Sequence, residues 1–279
     1  APKLGVDLGG RRINTTDTDF TPFDSGAYAS STTYVSGNAV RKAAEKARDR
    51  IIEIFANRYD EDPEEIDWKD GKIIGSDTTK TLAEFALSLT SGEMETDQEQ
   101  VEATASEVPE ESPPPFAAHF VELEVDTRTG EIDLQKYVSA VDCGTAINPN
   151  LAEGQMEGAI VNGIGYALTE EMEFNDSGRM SNPSFFDYKI PNAEDIPEIE
   201  VILVESSEPT GPMGAKSVGE IGINGAIPAI ANAVRDATGR RPNVDRSDPD
   251  VWIMLHVAND TATVHLDASG GSLHRRGYR

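Results

Sequence analysis

Nine residues, Gly214-Ala215-Lys216-Ser217-Val218-Gly219-Glu220-Ile221-Gly222, place three glycines and one carboxylate directly ahead of an apolar helical run. Glycines at 214, 219 and 222 remove Cβ atoms, so the backbone there is free to take positive φ and to approach a bound group closely. A helix starting beyond them aims free N–H groups at the same space, which suits an anionic ligand or a developing negative charge. The turn is expected to bury Glu220, the environment a proton-accepting carboxylate needs at neutral pH. A solvated Glu in a Gly-rich surface loop is the other reading of this window taken alone.

The chain has 279 residues, enough for one large domain or two ordinary ones. Fifty acidic residues against 24 basic ones give a net charge of −26. Such a surface repels nucleic acid and anionic membrane and keeps the chain soluble. It suggests a salt-loving source, in which high ionic strength screens the self-repulsion. Cys143 is the only cysteine, which excludes an intrachain disulfide, an iron–sulfur cluster or a cysteine-rich zinc site within this chain and points to the cytoplasm. No apolar run reaches the roughly 18 residues that span a bilayer, and no leader pattern is seen, so no membrane partner is expected. There is no starting methionine and the first residues read as mid-domain, so the chain is expected to be a fragment.

Residues 17–36 read as a structured loop rich in Thr, Ser, Asp and Gly. From Gly37, Val40, Ala43, Ala44, Ala47, Ile51, Ile54 and Phe55 recur at helical spacing and predict an amphipathic helix of about five turns. Lys69-Asp70-Gly71 predicts a hairpin, Leu82 to Leu89 a short helix, and the acidic, proline-ending stretch 91–115 an extended, flexible linker. Val121, Leu123 and Val125 alternate with acids, and after a turn at 127–130 Ile132 and Leu134 resume the alternation, which predicts a second hairpin. A further strand segment is expected over Val138–Val141. Asn148-Pro149 then opens a helix with a stripe of small residues, in which Gly158, Gly163 and Gly165 imply close packing against a neighbour or cofactor. A half-buried strand over Ile199–Leu203 and a last helix through Ile227, Ile230 and Val234 complete an α+β pattern of mixed helices and hairpin-rich sheets.

Four ordered stretches together resemble the C-terminal half of the molybdopterin-binding subunit of the xanthine dehydrogenase and aldehyde oxidase (molybdenum hydroxylase) family. They are Asp17 to Ser30; Val141-Asp142-Cys143-Gly144 with Ile147-Asn148-Pro149; Gly154-Gln155-Met156-Glu157-Gly158-Ala159 with Gly163-Ile164-Gly165; and Gly214 to Glu220. The resemblance implies a molybdenum-molybdopterin cofactor and hydroxylation of an aldehyde or N-heterocycle with water as the oxygen source. It implies that Glu220 matches the base that deprotonates the metal-bound hydroxyl. It implies that Gln155 touches the pterin or the metal ligands, that Ala29 and Ser30 touch the cofactor through backbone and hydroxyl groups, and that Ser217 and Gly219 lie on the metal side. Small hydroxyl-bearing and amide-bearing loops suit a pyranopterin. Its partners would be the N-terminal half of the subunit, iron–sulfur and FAD subunits, and a small-molecule substrate, and the isolated piece is expected to be inactive.

Plainer roles stand beside these. Gln155 fits an ordinary helix N-terminus and Ser30 a turn. Lys216 either neutralises an anionic ligand or is simply exposed. Asp17, Asp19 and Asp24 are read as loop-structuring groups rather than metal ligands, and Cys143 as a packed thiol rather than a nucleophile. Residues 240–279 depart from this pattern and resemble the end of the THUMP-containing region of ribosomal RNA guanine-N2 methyltransferases, so the expected organisation is a cofactor-binding fragment over 1–239 and a foreign tail over 240–279. An RNA-methyltransferase accessory segment is the alternative function, although the net charge argues against RNA as a partner. A third reading is a folded but inactive piece.

Overall fold

The computed structural model describes residues 13–15, 17–24, 26–90 and 100–239, together with the backbone of 252–258 and 261–267. The fold is α+β, with five α-helices and eight strands among the described residues. The chain divides into two compact units, the first comprising Ala1–Ala118, Ser139–Ile160 and Val201–Ile223, the second His119–Val138, Val161–Glu200 and Asn224–Arg279.

Helix α1 (Thr32–Tyr59) is the longest element among the described residues, at 28 residues. It starts ahead of Gly37 and is longer than the hydropathy pattern predicts. Its first turns carry no apolar stripe and are fixed by polar contacts instead. Tyr34 donates its hydroxyl to Thr210 Oγ1 at 2.7 Å, and Asn38 Nδ2 donates to the Thr210 carbonyl at 3.0 Å. Such ties leave no hydropathy period. The helix ends at Asp60, whose left-handed φ of 56° lets its N–H close back on Ala56 O.

The strands β1 (Asp67–Lys69), β2 (Lys72–Ile74) and β3 (Thr79–Thr81) form an antiparallel sheet in that order. Asp70 and Gly71, both at positive φ (51° and 72°), make the tight turn expected of an Asp-Gly pair. Helix α2 (Leu82–Thr90) packs Phe85 and Leu89 with Ile73 and with Ile51, Ile54 and Phe55 of α1, forming the hydrophobic core of the first unit. The linker expected over 91–115 lies partly outside the described residues. From residue 100 to 115 it carries no helix or strand and is tied to α1, with Lys42 paired to Glu107, Lys46 Nζ donating to Thr104 O at 3.2 Å, and Val101 packed on the core.

The second predicted hairpin is present as β4 (Phe116–Val125) and β5 (Ile132–Asp142), which with β6 (Glu198–Leu203) form a sheet of order β4-β5-β6. The separate strand expected over Val138–Val141 is the second half of β5. Its buried positions change parity between Leu134 and Tyr137, which breaks the sequence alternation without breaking the strand. Helix α3 (Pro149–Leu168) begins as predicted, with Asn148 Oδ1 accepting from Leu151 N at 3.3 Å. Its small-residue stripe is buried at Met156, Ala159, Ile160 and Ile164. Gly165 is closely packed, since a Cβ there would meet Glu170 and Pro191, whereas nothing lies within 4 Å of a Cβ at Gly158. The short α4 (Ile221–Asn224) precedes α5 (Ala226–Thr238), which stops at Gly239 with φ 69°. Strands β7 (Trp252–Ala258) and β8 (Thr261–Asp267) pair antiparallel; the remainder of the tail expected over 240–279 lies outside the described residues.

Candidate functional site

The sequence-predicted residues gather in the first unit, where three loops converge. The first is the loop before α1. Asp17 Oδ1 accepts from Asp19 N at 3.0 Å, and Asp24 accepts from Gly26 N at 2.8 Å and from Ser36 Oγ at 2.7 Å. The Ser36 hydroxyl and the Gly26 N–H hold the Asp24 carboxyl below its ordinary value. Asp17 and Asp24 thus accept hydrogen bonds from within their own loop and from Ser36 at the start of α1. The loop ends at Ala29 and Ser30, consecutive non-glycine residues at φ 49° and 51°. Left-handed backbone costs an L-residue about 1–2 kcal/mol. Ser31 helps to offset it, donating to Tyr28 O from both N (3.1 Å) and Oγ (2.7 Å).

The second loop follows β5. Asp142 Oδ1 accepts from Gly144 N at 2.9 Å and from Ser206 Oγ at 2.6 Å, and Asp142 Oδ2 is 2.8 Å from Lys216 Nζ. The Lys216 and Asp142 side chains are only 10% and 20% exposed, and Lys216 Nζ also sits 5.3 Å from the centre of the Phe116 ring. Burial alone would push the Asp142 carboxyl up; the Lys216, Ser206 and Gly144 hydrogen bonds and the Lys216 charge together outweigh it and hold it below its ordinary value. Lys216 is thus neither exposed nor free to neutralise a ligand. Its neighbours are pinned as well. Lys216 N donates to Cys143 O at 2.7 Å, Thr145 N donates to Gly214 O at 2.8 Å, and Gly144 pairs with Ala215 as an isolated bridge. Gly144, at φ 69°, has to be glycine, because a Cβ would lie 2.4 Å from Gly214 O. Cys143 is buried, which pushes its thiol up, so it is the packed thiol expected.

This clamp carries the third loop to Glu220. Ser30 Oγ donates to Glu220 Oε2 at 2.5 Å and accepts from Glu220 N at 2.9 Å. Gly219 makes room for that contact, since a Cβ there would come within 2.8 Å of Ser30 Oγ. The burial expected for Glu220 is not found. Its side chain is exposed, because the glycines that free the turn also leave little side-chain cover around it. Ser217 is half-buried between Lys216 and Val218.

A cavity of about 300 Å³ adjoins these loops. Its wall includes Thr33 from the first turn of α1, Asn148, Leu151 and Gln155 from the start of α3, and Lys216 and Val218. No Asp or Glu lines it, in a chain with fifty acidic residues. The structure therefore brings Ala29 and Ser30 together with Gly219 and Glu220, and places Gln155 with Lys216 and Val218 on one cavity wall. Asp142, Ser206 and Gly144 are the structural partners that sequence reasoning missed. The available signal was weak: the turn holds both Lys216 and Glu220, and only the fold shows that the acid paired with Lys216 is Asp142, 74 residues away.

The arrangement offers a fixed carboxylate on a loop that adjoins a mainly apolar pocket, in which Thr33, Thr145, Asn148 and Gln155 supply the hydroxyls and amides. A model of the molybdopterin cofactor-binding domain family matches residues 1–197, and the chain belongs to that family. A THUMP domain model matches a separate segment, residues 219–267, which begins ahead of residue 240 and takes in Glu220. Among similar proteins, the probable hypoxanthine oxidase XdhD of Escherichia coli K12 is 40% identical over 225 residues, covering 80% of this chain and 23% of its own length. The xanthine dehydrogenase molybdenum-binding subunit of Escherichia coli O157:H7 is 37% identical, covering 86% of this chain and 32% of its own. The aldehyde oxidoreductase molybdenum-binding subunit PaoC of Escherichia coli K12 is 36% identical with the same two coverages, 86% and 32%. The chain thus spans between 23% and 32% of the length of these relatives. Of solved structures, a Cu,Mo-CO dehydrogenase in its carbon monoxide reduced state superposes with a TM-score of 0.74 at 28% identity, covering 85% of this chain and 30% of that one. Quinoline 2-oxidoreductase from Pseudomonas putida 86 superposes with a TM-score of 0.71 at 27% identity, covering 79% and 29%. Among the described residues, no helix is long and apolar enough to cross a membrane.

Proposed function

We propose that this chain is the C-terminal, cofactor-binding part of a cytoplasmic molybdenum hydroxylase that acts on an aldehyde or an N-heterocycle and takes its oxygen from water. The observation that carries the reading is a carboxylate-free cavity adjoining the loop that ends in Glu220. An anionic pterin is repelled by carboxylates and held by neutral donors, so the wall of Thr33, Asn148 and Gln155 fits it. When bound, molybdenum-molybdopterin supplies the two-electron oxidation chemistry that side chains cannot.

The chain's own residues do the rest. Gln155 binds the cofactor through its amide, and the loops at Ala29–Ser30 and Ser217–Gly219 approach it with backbone and small side chains. Glu220 takes a proton on its carboxylate as the general base. The Asp142–Lys216 clamp keeps the 214–220 loop in place. The N-terminal portion of the subunit completes the pocket and covers Glu220, and iron–sulfur and FAD subunits carry the electrons away. Charge of −26 suits a salt-rich cytoplasm.

The test is metal and pterin analysis of this chain produced together with the N-terminal portion of a molybdenum-binding subunit, beside the chain alone. Molybdenum is expected only in the complex, and Glu220→Gln should abolish turnover with the metal retained. Absence of molybdenum from both samples would sink the proposal and leave an inactive folded piece. The THUMP match favours a second reading, an RNA-methyltransferase accessory segment. It requires salt-sensitive RNA binding that disappears on truncation after Gly239.

A further inference from the structure

The family resemblance assigns the Ser30 hydroxyl to the cofactor, yet that hydroxyl is already engaged. A serine hydroxyl has one hydrogen to donate and two lone pairs to accept with. Ser30 Oγ gives its hydrogen to Glu220 Oε2 at 2.5 Å and takes the Glu220 N–H at 2.9 Å, across 190 residues of sequence. It has no hydrogen left for a phosphate or pterin oxygen.

Two further observations show that the contact is built for. Ala29 and Ser30 are both held in left-handed backbone without being glycine, at φ 49° and 51°, and an extended or right-handed residue 30 would direct its Cβ elsewhere. On the other side Gly219 supplies the gap, since any side chain there would strike Ser30 Oγ at 2.8 Å and Ser30 Cβ at 3.3 Å. Strained backbone on one strand of the contact and a missing Cβ on the other serve the same pair of atoms.

We propose that Ser30 is a positioning residue for Glu220: its hydroxyl fixes the rotamer of the carboxylate and anchors the backbone beneath it, leaving Oε1 as the oxygen presented to the reaction. The two bonds act at once on the end and on the base of one side chain, so Glu220 is held although its surroundings leave it exposed. The assignment rests on the proposed role of Glu220 and changes that of Ser30 from holding the cofactor to aiming the base.

Two substitutions separate the hydroxyl from the backbone. Ser30→Ala removes the hydroxyl and keeps the left-handed strain, while Ser30→Gly removes the hydroxyl and relieves the strain. In the full-length, cofactor-loaded protein both should lower kcat on the order of 10- to 100-fold, with KM and molybdenum content unchanged, because misdirecting a reacting group costs rate rather than binding. In the chain itself both should speed hydrogen exchange at the Glu220 amide and leave the Ile223 amide, which donates to Glu220 O at 3.0 Å, as it was. Molybdenum content falling in step with kcat would overturn the proposal, since the hydroxyl would then be holding the cofactor. So would a Ser30→Gly protein with wild-type kcat, which would reduce residue 30 to a backbone shape. A wild-type protein without molybdenum would instead defeat the cofactor reading. The exchange measurement then decides alone whether Ser30 holds Glu220: faster exchange upholds it and unchanged exchange overturns it.

Discussion

Around Phe55 the chain is held by what it hides; around Glu220 it is held by what it ties together. Phe55 is fully buried, its ring centre 4.7 Å from that of Tyr59 and 5.3 Å from that of Phe85, with Ile51, Ile54 and Ile73 packed alongside. Those residues come from neighbouring stretches of sequence and share one chemistry. The site draws on residues near 30, 142, 206 and 216–220, joined by a few hydrogen bonds and one ion pair, and leaves its carboxylate in solvent. A core of this kind loses stability in proportion to apolar volume removed. A site of this kind loses its geometry when one atom goes.

The contrast is sharpest where the largest loss is expected. Phe55→Ala should destabilise the chain by about 3–5 kcal/mol, the cost of lost burial plus the cavity left behind, measured by denaturant unfolding. Gly144→Ala should come next, at about 2–3 kcal/mol, the left-handed penalty of about 1–2 kcal/mol plus a clash with Gly214 O that no side-chain rotation relieves. Adding one methyl would then do nearly the damage of removing a whole ring. If Gly144→Ala unfolds at the wild-type midpoint, the bridge between Gly144 and Ala215 is not what fixes the site.

Asp142→Asn leaves Lys216 without its counter-charge at 10% exposure. Breaking a buried pair costs several kcal/mol, and the residual exposure reduces this to about 2 kcal/mol at neutral pH. The pH dependence has a definite sign. The Asp142 carboxyl is held below its ordinary value in the folded chain, so its stabilisation is complete above the unfolded value of about 3.9 and is lost as pH falls through the lower, folded value. The stability gap between wild type and Asp142→Asn should therefore be constant above about pH 5 and close as the pH is lowered toward 2. A gap that stays open at low pH would mean that Asp142 acts by shape rather than by charge.

What the sequence disclosed divides along the same line. The core side was legible, because burial imposes a period. The α3 stripe at Met156, Ala159, Ile160 and Ile164, the Asp70-Gly71 turn and the Asn148 cap follow from local rules. The site side was legible only as a set of residues. That Glu220, Ser30 and Gly219 belong together follows from a family resemblance, and no periodicity indicates it. Ala29 and Ser30 carry no glycine to advertise their left-handed backbone. The early start of α1 rests on Tyr34 and Asn38 reaching Thr210, the Asp142–Lys216 pair spans 74 residues, and the exposure of Glu220 reflects the absence of neighbours. These are tertiary facts with no local signature.

The smallest expected effect tests whether burial, rather than pairing, gives the clamp its strength. Arg50 and Glu53 on α1 form an ion pair at 3.2 Å, close in length to the 2.8 Å of Lys216 and Asp142, but their side chains are 48% and 59% exposed. In water the attraction is screened, and ordering two long side chains offsets most of it, so an i,i+3 pair contributes about 0.2–0.5 kcal/mol. Arg50→Ala should accordingly shift the unfolding midpoint by little, and 1 M KCl should erase the difference, whereas the loss in Asp142→Asn should persist in the same salt because a buried pair is screened much less. If Arg50→Ala costs as much as Asp142→Asn, the ion pair at the site has no special standing, and the rigidity of the Glu220 loop has to come from its backbone bonds with Cys143 and Thr145 instead.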